Sequence, residues 1–361
     1  MSTALFPEAY PVESASTAKP LTIALTGATG FVAGSILQRL LALGHTVHGT
    51  CRDPAKAKAL MELPGASVRL KLFAADLTTP GAYDEAFQGC DAVVHCASPY
   101  ISTVKPGKEA QEKLVKPAVQ GTENVLASVN KVATIKRVVL TSSCAAIYGI
   151  PGELGKDHVY TEADWCASPS VDVLPYFFSK REAEKRAWAM AEEQDRWDLV
   201  TINPAAVFGP PMTARSDGES ISILRDIYKG KAYPATPKLG MGVIDVRDVA
   251  LAHSLALFTP TAKGRYIMVE SSGWFSEYAT ICHELYPKVV GKPFVTVPKF
   301  LLYVLGPFIG MGRDLITNCV GHPVPRFDTS KVKSELGIKE FIPMSVTFKN
   351  QIDKMLELKM M

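Results

Sequence analysis

Tyr176-Phe177-Phe178-Ser179-Lys180 combines residue types and a spacing that could move a proton. If this stretch opens a helix, a separation of four puts the phenol and the ammonium on one helical face. An unperturbed phenol titrates near ~10, and a neighbouring ammonium favours its phenolate. Tyr176 could then give a proton to a carbonyl oxygen under reduction, or take one from an alcohol in the reverse direction. Ordinary packed helices carry the same spacing, so the pair needs support from elsewhere in the chain. Thr141-Ser142-Ser143-Cys144, at the exit of an apolar run, can supply a hydroxyl to polarise the same oxygen, or can simply cap backbone.

A second set of residues suits a phosphate. In LTIALTGATGFVAG, over 21–34, an apolar run leads through glycines into a helix-like segment that stops at Gly44. Gly27 permits a tight turn, Gly30 lets backbone approach a phosphate, and the small Ala33 lets helix and strand sit close. Thr29, Phe31 and Val32 complete the turn and the helix start, whose N–H groups and dipole attract an anion. Arg52 follows the second apolar run, where such folds bring the adenosine ribose; arginine there suits a 2′-phosphate and a carboxylate a 2′-hydroxyl. Asp53 is one place late for the second role, so NADP is expected over NAD, with Lys56 or Lys58 as a further phosphate contact. A solvated Arg-Asp pair on a turn is the other reading. Asp76-Leu77 ends the third run, where a carboxylate can accept from the adenine amino group, although Thr78 and Pro80 equally make Asp76 a helix cap. In His95-Cys96-Ala97-Ser98-Pro99 the small Ala97 and Ser98 leave room for backbone to pass a cofactor, and His95 reads as a core histidine.

These residues need a scaffold that brings the ends of several strands together. Apolar runs at Leu21–Leu25, Thr46–Cys51, Val68–Phe73, Asp91–His95, Arg137–Thr141 and Leu199–Asn203 predict six strands. Helical segments alternate with them: Ala55–Glu62, a stretch from Thr79 to about Phe87, Lys108–Val129 with Pro117 as a kink, and Tyr176–Glu193. Strands that are apolar throughout and alternate with helices predict a parallel sheet covered on both faces. The expected class is therefore α/β: a Rossmann-type doubly wound parallel sheet over 21–204, with elements returning after 243, and a smaller mixed C-terminal substrate lobe, mainly over 205–361. Residues 1–20 read as a loose arm, 145–175 as a loop, and Phe300–Met311 as a buried helix of the second lobe, too short to span a bilayer.

Charge and cysteine usage narrow the functional classes. The 361 residues carry 39 Lys and Arg against 36 Asp and Glu, a net charge of +3, which offers no attraction for nucleic acid or an anionic membrane. Seven cysteines form no C-x-x-C pair and cannot all pair within one chain, which suits a reducing, cytoplasmic compartment. The first twenty residues have one Lys, no Arg and no apolar core, so they do not read as a leader. His45-x-x-His48 has no further ligand set nearby, and no metal site is expected.

Taken together, TGATGFVAG, the RDP at 52–54, DL at 76–77, HCASP, PAVQGTENVL, RVVLTSSCAAIYG, YFFSKREAEKRAW and INPAAVFGPP resemble an extended short-chain dehydrogenase/reductase. Within that family they are most similar to the branch of dihydroflavonol reductases, cinnamoyl-CoA reductases and methylglyoxal-type aldehyde reductases. The resemblance is specific from about Leu21 to Pro211 and thinner to about Leu336, through DVRDVALAH and FDTSKVKSELG. It implies a Ser-Tyr-Lys catalytic set of Ser143, Tyr176 and Lys180, NADPH as cofactor, and Pro204 and Val207 beside the nicotinamide. Epimerase register, counted back from Tyr148, would select Cys144 instead, and a thiol is the weaker donor; Ser142 is the other neighbour. The implied reaction is NADPH-dependent reduction of an aldehyde or ketone with Tyr176 as proton donor. An NAD-dependent nucleotide-sugar epimerase or dehydratase and a non-catalytic NADP-binding sensor are the rivals. The loops show no Arg/Lys cluster that would clamp a diphosphate or CoA, so an uncharged substrate is expected, aromatic ones included, in a monomer or homodimer. Tyr100, Tyr148, Trp165, Phe177, Phe208, Met212 and Met241 are candidate substrate contacts, with core packing as the alternative for each.

Overall fold

The computed structural model describes residues 19–99, 104–214, 218–306 and 311–361. In chain order the strands are β1 (Thr22–Thr26), β2 (Thr46–Cys51), β3 (Leu70–Ala74), β4 (Ala92–His95), β5 (Arg137–Thr141) and β6 (Val159–Tyr160). They continue as β7 (Asp198–Pro204), β8 (Ala206–Phe208), β9 (Ala235–Pro237), β10 (Gly240–Asp245), β11 (Gly264–Met268), β12 (Ser271–Trp274), β13 (Val295–Val297) and β14 (Arg326–Phe327). Seven of them make one parallel sheet in the order β11-β7-β5-β4-β1-β2-β3. The chain runs outward to β3 and then crosses back to β4, so a crevice opens beyond the carboxyl ends of β1 and β4, where doubly wound sheets take their ligands. Register aligns Thr26 with His95 and Thr141 with Ile202, which gathers the glycine turn, the HCASP segment and the serine run at one edge.

Strand alternation divides the core. Ile23, Leu25, Val94, Val139 and Val200 face one buried cluster, which includes Ile36 and Leu40 of the Phe31–Ala42 helix and Leu251 and Leu255 of the Val246–Phe258 helix. Their neighbours Ala24, Val93, Val138 and Leu199 face the other cluster, with Val125, Leu126 and Trp197. A period of two with both faces apolar is what a doubly covered parallel sheet requires. After β7 the chain builds a three-stranded sheet, β12-β10-β8, packed by the Glu219–Tyr228, Phe275–Leu285 and Met344–Glu357 helices around Leu224, Val243, Tyr278 and Phe348.

Several local expectations shift. The segment read as a helix over Ala55–Glu62 is two 3-10 turns, Pro54–Lys56 and Lys58–Glu62, and the third strand starts at Leu70 because Ala66–Arg69 forms a helical turn. The long helix before β5 carries a π segment at Gln111–Val115, just ahead of the Pro117 where a kink was expected. Inside the 145–175 loop, β6 pairs in parallel with β14. The burial expected over Phe300–Met311 is only partial among the described residues: in the Lys299–Leu305 helix Phe300 is 68% and Val304 64% exposed, while Leu302 is buried with Ile316 and Val320 and Tyr303 packs partly against them. A helix of two turns at the edge of the lobe has too little surface to bury more than one face. The expected arm lies outside the described residues apart from 19 and 20, as does Tyr100.

Candidate active site

Tyr176 and Lys180 lie on the first turns of the Pro175–Glu192 helix, and both line a cavity of about 690 Å³ at the carboxyl edge of the sheet. Lys180 Nζ donates to Ser98 Oγ at 3.1 Å and stands 5.8 Å from the Tyr176 ring centroid. Burial lowers its pKa to about 8, opposed by the Cys96 and Glu184 charges. The phenol of Tyr176 moves the other way: burial and the Glu219 carboxylate raise its pKa, and a hydrogen bond with Ser143 opposes the rise. Lys180, expected to draw the phenol down, is not among the groups that set this shift, and loss of hydration dominates it. The protein's own groups therefore keep Tyr176 protonated, the form that donates.

The serine run resolves by direction. Ser143 faces Tyr176, accepts from Ala145 N at 3.1 Å as the cap of a 3-10 turn, and contacts Pro204 O at 3.4 Å. Ser142 points to the opposite side and donates to Glu184, while Cys144 Sγ contacts Asn203 O at 3.1 Å and its buried thiol is pushed to a higher pKa. Glu184, one helical turn after Lys180, is wholly buried and also receives Arg265 Nε at 2.6 Å and Asn203 Nδ2 at 2.8 Å. Asn203 in turn donates to Ser143 O at 3.2 Å, so one carboxylate ties the Pro175–Glu192 helix to the exits of β5 and β7 and to the start of β11. Motif reading passed over Glu184; its one signal was an acid two turns along the face that bears Tyr176 and Lys180.

The glycine-turn side of the cavity is formed by 27–34, with Leu60, Ser98, Pro204 and Val207. Gly27 has φ +68, and a Cβ there would meet Ala97 Cα at 3.1 Å, so this turn is open only to glycine. Gly30 N donates to Gly27 O at 2.8 Å, and the Phe31–Ala42 helix has neither a side-chain cap nor an acid in its first turn. That leaves the first-turn amides oriented as an anion requires, and Thr29, Phe31 and Val32 line the same wall. Arg52 and Lys56 are exposed just past β2, outside the cavity wall. Asp53 accepts from Ala55 N at 3.0 Å and pairs with Lys56 at 3.4 Å, so its carboxylate is engaged by the turn. Asp76 accepts from Thr78 N at 2.8 Å, and the bonds from Thr78, with Arg52 nearby, hold its carboxyl below the usual range. Leu77 fills the space beside Gly121, where an added Cβ would come within 2.3 Å of its Cγ. His95 is buried, bonds Thr26 Oγ1 at 2.8 Å and is pushed down to about 3 by burial and the Lys180 charge, as befits a core histidine. His45 accepts from Leu21 N, and His48 contacts Ala86 O.

On the other side, Tyr148, Phe177, Phe208, Met212 and Met241 line the cavity, whereas Trp165 is not among its lining residues and stacks on Arg265 at 3.8 Å. Gly312, Asp314 and Leu315 complete the wall from the second lobe. No motif marked them, because their place depends on how a distant helix docks.

Sheet and cavity together define the class: an α/β protein with its ligand crevice at the carboxyl edge of a doubly wound parallel sheet. The chain belongs to the NAD dependent epimerase/dehydratase family, the extended short-chain dehydrogenases/reductases, whose family model matches residues 23–269. It is 36% identical over 348 residues to cinnamoyl-CoA reductase CAD2 of Medicago truncatula, covering 93% of this chain and 96% of that protein. It is 40% identical over 272 residues to tetraketide alpha-pyrone reductase 2 of Arabidopsis thaliana, covering 73% of this chain and 82% of the relative. Among solved structures, Gre2 of Candida albicans in complex with NADPH superposes with a TM-score of 0.78 at 29% identity, covering 94% of this chain and 99% of that one. Among the described residues no helix is long and apolar enough to cross a membrane.

Proposed function

We propose that this protein reduces an uncharged aldehyde or ketone to an alcohol with NADPH, using Tyr176 as proton donor. The carrying observation is that Tyr176, its Ser143 partner and Lys180 share one cavity wall with an uncapped glycine-turn helix. Similarity to plant reductases and to NADPH-bound Gre2 supports the cofactor, as does Arg52 with Asp53 turned into its own loop. A nicotinamide held by the glycine turn, Lys180, Pro204 and Val207 would supply the hydride for the carbonyl carbon. Ser143 and Tyr176 hold the substrate oxygen by hydrogen bonds, and Tyr176 gives up its proton as negative charge develops there. Lys180 fixes the ribose and steadies the phenolate that remains.

Charge supports an uncharged substrate: Lys180 is the only cation among the described residues lining the cavity, and Glu219 and Asp314 are its acids. The apolar wall of Tyr148, Phe177, Phe208 and Met241 suits an aromatic or branched carbonyl compound. Seven cysteine thiols suit a reducing, cytoplasmic setting. A panel of uncharged aldehydes and ketones, followed by loss of reduced-nicotinamide absorbance, tests the proposal. Turnover with NADPH well above that with NADH is expected. Failure of every carbonyl compound to consume either cofactor, or purification with tightly retained NAD, overturns it.

A further inference from the structure

Leu174 has φ 49 and ψ 55, and with Lys359 it is one of two non-glycine residues of positive φ among those described. Two effects oppose this conformation: Cβ crowds the carbonyl in the left-handed region, and a following proline pushes its predecessor toward extended backbone. Leu174 nevertheless precedes Pro175 and starts the helix that carries Tyr176, its carbonyl accepting from Phe178 N at 3.1 Å. Its amide donates to Asp314 Oδ2 at 2.8 Å, across 140 residues. The other carboxylate oxygen of Asp314 accepts from Asn318 Nδ2 at 2.7 Å, so the acid is held from both sides. Asp314 belongs to the Arg313–Asn318 helix of the second lobe, and Leu174, Tyr176, Asp314 and Leu315 line one cavity.

We infer that Asp314 is a positioning residue: it holds Leu174 in the left-handed conformation from which the catalytic helix departs, and so ties the placement of the Tyr176 phenol to the substrate-side wall. A substrate resting on the Gly312–Leu315 wall then bears on the same carboxylate that sets the proton donor. The effect on turnover rests on the reductase reading; the anchor itself does not.

The test compares Asp314→Ala, Asp314→Asn and the double variant Leu174→Gly/Asp314→Ala. Loss of the anchor misplaces the phenol, so Asp314→Ala is expected to lower kcat about tenfold or more while NADPH affinity is unchanged. Asp314→Asn keeps an oxygen that accepts from Leu174 N and should retain most of the activity. Leu174→Gly removes the Cβ penalty and should restore kcat several-fold in the Asp314→Ala background, which a general folding role would not explain. Hydrogen exchange of the peptide covering 170–178 should quicken in Asp314→Ala and stay slow in Asp314→Asn. Unchanged exchange in Asp314→Ala, or no recovery from Leu174→Gly in active protein, overturns the inference. If the parent protein reduces no carbonyl compound, the reductase reading falls and the exchange measurement decides the anchor by itself.

Discussion

Tyr176 and Lys180 sit one helical turn apart, yet burial treats them oppositely, holding the phenol protonated and pressing the ammonium to lose its proton. Replacement of Tyr176 by Phe removes the proposed proton donor and little volume. It is expected to lower kcat by about 10²–10⁴-fold while the thermal shift produced by NADPH persists; an active Tyr176→Phe enzyme would refute the scheme. Lys180 yields a second prediction, through stability. Its folded pKa is about 8 against 10.5 for an ordinary lysine, so between these values the unfolded chain binds more protons and stability rises with pH. The cost of burying the charge is complete below about pH 8 and fades toward 10.5. Lys180→Met should therefore gain more in Tm over the parent at neutral pH than at pH near 10, measured by calorimetry in matched buffers. A gain that grows with pH would show the sign to be wrong.

The Pro175–Glu192 helix turns polar side chains toward the sheet, with Tyr176, Lys180 and Glu184 recurring every four residues. This inward polar stripe is stable because each member finds partners: Ser143, Ser98, and the set of Ser142, Arg265 and Asn203. Glu184 to Ala would leave Arg265, buried and stacked on Trp165, without its counter-charge. A loss of about 3–5 kcal/mol in chemical denaturation is expected. A loss under about 1 kcal/mol would mean that water or another acid replaces the carboxylate.

Across the whole molecule, buried polar contacts tie the C-terminal segment 342–351 back to the strands of the small sheet and to the Val246–Phe258 helix that packs on the large one. Gly209 N donates to Gln351 Oε1 at 2.7 Å, Thr347 Oγ1 to Asp245 Oδ2 at 2.7 Å, and Ile342 N to Asp248 Oδ2 at 2.9 Å. The cavity, lined by the sheet edge on one side and by Phe208, Ile221 and Met241 on the other, should stabilise the entire fold when it takes its cofactor, by about 2.7 kcal/mol at a hundredfold excess over Kd. Arg52→Ala tests the proposed 2′-phosphate contact: NADPH affinity should fall about 10–100-fold, with NADH affinity unchanged. Thermal shifts with the two cofactors read this directly; an equal loss for both would place Arg52 elsewhere.

Strand alternation, the glycine turn and the Tyr-Lys spacing are local patterns, and the sequence alone determined from them the doubly wound sheet and the gathering of 27–34, 96–98 and 176–180 at one edge. Local pattern could not say which of Ser142, Ser143 and Cys144 faces the phenol, because that depends on how β5 leaves the sheet against Asn203 and Glu184. Nor could it give the direction of the Tyr176 shift, which follows from burial by surrounding chain. Phe300 looked like core by hydropathy and proved exposed, since exposure is settled by which neighbours arrive. The contact of Asp314 with Leu174 joins residues 140 apart, and only the folded chain brings that carboxylate to the start of the helix that bears Tyr176 and Lys180.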